Sequence, residues 1–161
     1  DPRRQSVTLR RGGLPDCVYT IAFMTPGTLV FQDEYLSIYR ERDGKLFRSV
    51  RTHRAFPDVE SMIATYDRML DAIRPLVRRD SVLLSDVRNA PGRNDPAFEK
   101  AMEEVRLRTY VFFRKRAILV QSTIGKLHIN RLIHTDKIER MVSQDEAELL
   151  RYLEVDPAQP G

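Results

Sequence analysis

The hydrophobic rhythm of this chain switches repeatedly between a period of two and a period near four, and that alternation leaves few folds open. Leu36, Ile38 and Arg40 alternate with Tyr35, Ser37 and Tyr39. Asp43-Gly44 then supplies a hairpin signal ahead of Lys45-Leu46-Phe47-Arg48-Ser49-Val50-Arg51-Thr52. The pattern predicts an antiparallel strand pair across residues 28–52. From Val59 the period lengthens, and Met62, Ile63, Tyr66, Met69, Leu70 and Ile73 fall on one helical face. Phe56-Pro57-Asp58 opens that helix, with Pro57 in its first turn, and Pro75 disfavours its continuation. Ser81–Val87 is a short, nearly continuous apolar run of the kind that suits a strand covered on both faces.

Asp95-Pro96 caps and opens a second helix, with Phe98, Met102, Val105, Thr109 and Phe112 along its apolar face. Arg116–Gln121 is another buried-type strand. Ser122 caps a third helix carrying Ile124, Leu127, Leu132 and Ile133, and Glu139–Val142 is a short strand. Ser143 and Glu146 match a capping box in front of a last helix with Ala147, Leu150 and Leu153. Strands that alternate with helices imply right-handed crossovers. The expected fold class is therefore α/β, with a mixed, largely parallel sheet, an N-terminal hairpin and about four helices.

A chain of 161 residues fits one domain, and 42% apolar residues suffice for a core. The domain is placed at 28–154. Residues 1–27 read as an extension with an extra strand in Cys17–Met24, and 155–161 as a tail. The net charge of +4 is spread along the chain, mostly as Arg, and fits a solvated surface. A single cysteine, Cys17, excludes an internal disulfide and any multi-cysteine metal site. No stretch approaches the roughly 18 consecutive apolar residues of a membrane helix, so no membrane span is expected. Asp1-Pro2-Arg3-Arg4 does not lead into a signal peptide, and the cytoplasm is the expected compartment.

The loop after the Ser81–Val87 run is the best candidate site, and it comprises Arg88, Asn89, Gly92, Arg93, Asn94 and Asp95. Gly92 can take a positive φ, the next helix presents unpaired backbone donors, and two arginines add charge. Together they suit a phosphate or a partner's carboxylate. Asp95 opposes the anion, because its own carboxylate occupies the helix start. Asp86, near the carboxyl end of a central strand, is expected to bond loop amides or pair with Arg88. A deep pocket around it with a convergent histidine would point to an enzyme instead.

His128 and His134 stand six residues apart, too far around a helix to share a metal. His53 lies among arginines. Ile124-Gly125-Lys126 lacks the glycine-rich loop of a phosphate-binding motif, and there is no Gly-x-Ser-x-Gly elbow. Arg40, Arg42, Lys45, Arg48, Arg51 and Arg54 make the hairpin basic, but Glu41 and Asp43 among them fit an ordinary polar sheet surface, so nucleic acid is not expected. Arg114-Lys115-Arg116 reads as a helix C-terminus, where cations oppose the dipole.

Three stretches, Val82–Phe98, Arg116–Ile133 and Arg140–Leu153, together with the hairpin, resemble the STAS fold of the SpoIIAA-like group, related to anti-sigma-factor antagonists. The resemblance covers about residues 28–154. It implies a mostly non-enzymatic domain that binds protein partners, with nucleotides or lipids bound in some members. The antagonists present a phosphorylated serine in the loop after the central strand. Arg88-Asn89-Ala90-Pro91-Gly92-Arg93-Asn94 has no Ser, Thr or Tyr, so that switch is not carried over. The expectation is a non-catalytic regulatory or scaffolding domain that docks a protein partner through the Arg88–Asp95 loop and the following helix, with no cofactor and no metal. The alternative is a small-ligand domain for a nucleotide or lipid head group. Self-association through Cys17–Met24 stays open, as does capping of the chain's own domain by that run.

Overall fold

The structure, a computed structural model, describes residues 27–93 and 95–155. The strand expected in Cys17–Met24, candidate residue Asn94 and most of the tail lie outside the described residues. Six strands form one sheet in chain order: β1 Thr28–Gln32, β2 Leu36–Glu41, β3 Leu46–Arg51, β4 Val82–Asp86, β5 Arg116–Leu119 and β6 Met141–Ser143. β1, β2 and β3 pair antiparallel, and β3 to β6 run parallel. The helices are α1 Val59–Ile73, α2 Pro96–Tyr110, α3 Thr123–Asp136 and α4 Glu146–Tyr152. The molecule is thus α/β with a mixed sheet, as the rhythm predicts. No helix among the described residues is long and apolar enough to cross a membrane.

The N-terminal part holds three strands rather than the expected two. Asp33 makes the difference. Its Oδ1 accepts from the backbone N–H of Tyr35 at 2.8 Å and of Leu36 at 3.0 Å, which turns the chain between β1 and β2. Its Oδ2 accepts from Thr65 Oγ1 at 2.9 Å and Arg68 Nη2 at 3.0 Å on α1. The β2–β3 turn forms where Asp43-Gly44 signals it, with Gly44 at φ +83°. A Cβ there would lie 2.8 Å from Arg40 Nε. Gly44→Ala is expected to lower stability by about 1 kcal/mol or more, read as a melting-temperature fall of about 2–4 °C per kcal/mol.

Strand alternation sends side chains to two separate cores. Leu36, Ile38, Phe47 and Leu83 meet Met69, Leu70 and Ile73 of α1 and Tyr110 of α2. Farther along the same face, Ile118, Val120 and Val142 meet Ile129 and Ile133 of α3. The opposite face carries Leu46, Val82, Leu84, Ala117 and Leu119, covered by Leu149 and Leu150 of α4 and by Leu153 just beyond its end.

The helix starts follow the side-chain chemistry, with two corrections. Asp58 caps α1 by accepting from Ser61 N–H at 2.7 Å, so Pro57 precedes the cap rather than sitting in the first turn. The α4 capping box does not form. Asp145 is the cap and accepts from Ala147 and Glu148 N–H, while Ser143 ends β6 and donates to Glu148. Glu146 instead meets Arg48 at 2.6 Å, which ties α4 to the sheet. The Arg114-Lys115-Arg116 reading holds for Arg116, whose Nη1 donates to the Tyr110 carbonyl at the end of α2 at 3.0 Å, but not for the other two. α2 ends at Tyr110, and Arg114 and Lys115 lie beyond it, holding Glu154 at 2.8 and 2.9 Å. That pair depresses the Glu154 carboxyl to about 2.

Candidate functional site

The Arg88–Asp95 loop leaves the carboxyl end of β4, a position where α/β sheets tend to place ligands. It is braced at both ends. Arg88 clamps Asp86, with Nη2 2.7 Å from Oδ2 and Nε 3.0 Å from Oδ1, and its backbone N–H adds a third bond at 3.1 Å. Burial alone would raise the Asp86 carboxyl, but the Arg88 hydrogen bonds and the charges of Arg88 and Arg48 outweigh it and hold the carboxyl below its ordinary range. At the far end, Arg93 Nη1 donates to the Phe56 carbonyl at 2.8 Å and Nη2 reaches Asp95 at 3.3 Å. The Arg93 guanidinium also lies 4.3 Å from the centre of the Phe98 ring. Between these braces, Asn89, Pro91 and Gly92 are exposed.

Two expectations about this loop change. Gly92 is not at a positive φ; Gly44 is the glycine in that region among the described residues. The anion pocket expected from Arg88 and Arg93 is weakened, because each guanidinium already has a carboxylate partner. Asp95 also caps α2 itself, accepting from Ala97 N–H at 3.0 Å.

Behind the loop lies a feature that sequence reading missed. α2 and α3 part over the sheet and leave a solvent-open cleft of about 390 Å³ at the carboxyl ends of β4 and β5. Its walls include Val87, Phe98, Met102, Val120, Ile129 and Leu132, and Arg106 and His128 reach its lining. No apolar residue of α3 is fully buried, and Ile124 and Leu127 are 80% and 65% exposed. Val87 and Val120 point into the cleft because they lie on the α2–α3 side of the sheet. Asp86, one residue out of step with Val87, faces the α4 side and is absent from the cleft wall. The enzyme outcome, a pocket built around Asp86, is therefore not met by this cleft. His128 lines it instead, 3.8 Å from Glu99.

His134 sits in the last turn of α3 and His53 in the loop after β3. Among the described residues no group of three or more His, Cys, Asp or Glu converges as a metal site. The basic hairpin is largely engaged within the fold: Arg48 with Glu41 at 2.7 Å, Arg54 with Glu34 at 2.6 Å, and Arg51 over the Phe56 ring at 4.3 Å. Comparison with protein-family models, with curated proteins and with solved structures finds no match to this chain.

Proposed function

We propose that this chain is a non-catalytic regulatory or scaffolding domain of SpoIIAA-like STAS type, working in the cytoplasm, that docks a protein partner through the Arg88–Asp95 loop and the start of α2. One observation carries the reading. The loop crest is exposed while both its ends are pinned, so a partner meets a surface whose ordering cost is already met by the fold. The order of strands and helices supports the family assignment. Engagement of Asp86 by Arg88 supports a structural rather than a proton-transfer role for that carboxylate.

Gly92 offers a clean test. A Cβ there meets nothing within 4 Å, and its φ lies outside the left-handed region that favours glycine. Gly92→Glu is expected to leave the melting temperature unchanged, since open surface substitutions stay within about 0.5 kcal/mol. It is expected to reduce recovery of a partner identified with the wild-type chain at least about tenfold, as blocked central contacts do. Undiminished recovery removes the loop from the docking surface.

The cleft behind the loop favours a second reading, a small-ligand domain. A volume of about 390 Å³ lies within the range of about 300–1,000 Å³ typical of small-molecule sites, and an apolar wall with few polar groups is their usual chemistry.

A further inference from the structure

We propose that the cleft between α2 and α3 binds a small organic anion with an aliphatic body, its charged group directed at Arg106. The inference rests on the small-ligand reading and names the chemistry of the ligand.

Arg106 stands one turn beyond Met102 and two beyond Phe98, on the stripe of α2 that forms the cleft wall. Its side chain is 13% exposed. The carboxylate within reach is Asp136 at 3.3 Å, and Arg106 Nε makes no hydrogen bond to it. Asp136 is already taken by Arg140, which contacts both its oxygens at 2.9 Å, and both of those side chains are 1% exposed. Two guanidiniums thus face one carboxylate in a largely water-excluded place. A buried charge without full pairing is costly, so the site favours a second anion. The other carboxylate of the cleft wall, Glu99, lies 3.8 Å from Arg131, and so has a cation of its own.

The rest of the ligand follows from the walls. Valine, methionine, isoleucine and leucine side chains suit an aliphatic body. A nucleobase fits less well. Phe98 and His128 are the rings in the wall; the Arg93 guanidinium already lies over the first, and the second is 3.8 Å from the Glu99 carboxylate.

The test titrates the full chain with decanoate, 1-decanol, decyltrimethylammonium and inorganic phosphate, reading displacement of a fluorescent anilinonaphthalene sulfonate. Decanoate is expected to bind about 10- to 100-fold more tightly than 1-decanol, the range for a hydrogen-bonded charge. Arg106→Met is expected to bring the two to parity, by weakening decanoate far more than 1-decanol. Met102→Glu, which places a carboxylate in the cleft wall one turn from Arg106, is expected to abolish the preference for decanoate over 1-decanol if Arg106→Met melts too low to assay. Equal binding of decanoate and 1-decanol, or preference for the ammonium, overturns the anion assignment and leaves the small-ligand reading standing. Binding of phosphate as tight as decanoate overturns the aliphatic part. A preference for decanoate that survives both variants overturns the role of Arg106. Failure of every probe overturns both readings.

Discussion

Phe47→Ala is expected to destabilise the protein by about 3–5 kcal/mol, the usual loss when a fully buried aromatic side chain is cut back to a methyl group. Phe47 is 0% exposed and lies on β3, paired with β2 on one side and β4 on the other. Its ring meets Phe113 edge-on at 5.7 Å, and it belongs to the cluster that fastens α1 and the end of α2 to the sheet. Removal therefore opens a cavity at the joint of three elements. Domains are stable by only about 5–15 kcal/mol, so this one change removes a large share. Urea denaturation of the variant checks the value, with Leu29→Ala as comparison. Leu29 sits on the edge strand at 48% exposure and is expected to cost about 0.5 kcal/mol or less. A loss for Phe47→Ala no larger than that of Leu29→Ala would mean that the core closes over the gap.

Much of the architecture was legible because each buried element announces its own period. The runs at Val82–Asp86 and Arg116–Leu119 are covered on both faces, so Val82-Leu83-Leu84 and Ala117-Ile118-Leu119 read as short continuous apolar stretches. The α1 stripe is complete because the helix lies flat on the sheet and the aromatic cluster around Phe56. The split between β1 and β2 was not legible. It contains no Gly or Pro, and Asp33 depends on Thr65 and Arg68, more than thirty residues away. The α4 cap failed for a local reason. Ser143 is spent on closing β6, so Asp145, two residues later, takes the free N–H groups.

The site divides the same way. Pairing of Asp86 with Arg88 is a two-residue contact and could be anticipated; the bond from Arg93 to the Phe56 carbonyl crosses 37 positions and could not. The cleft is harder still, since it arises where two helices fail to meet. One signal was present in the sequence. The line Phe98, Met102, Arg106 runs down one face of α2 and ends in a charge where the stripe calls for another apolar residue.

That charge links the cleft to the second large effect, expected for Asp136→Ala. Asp136 accepts from Arg140 through both oxygens and from the Ile138 N–H at 3.0 Å, and it lies 3.3 Å from Arg106. Truncating it leaves two guanidiniums without a carboxylate, and Arg140 is 1% exposed. Breaking a buried pair from one side costs about 3–5 kcal/mol, most of it from the stranded partner. Asp136→Leu combined with Arg140→Met is therefore expected to recover much of the loss. The pH dependence has a definite sign. Burial pushes the Asp136 carboxyl up, but the Arg140 and Ile138 hydrogen bonds and the charges of Arg140 and Arg106 outweigh it and hold it below its ordinary value. A carboxyl lowered on folding contributes fully above its unfolded pKa of about 3.9 and loses that contribution as the pH falls through the folded value. Denaturation of wild type and Asp136→Ala at pH 7 and near pH 3 is expected to show a gap that narrows in acid. A gap of constant size would place its origin in lost packing, and would weaken the case that Arg106 lacks a full counter-charge.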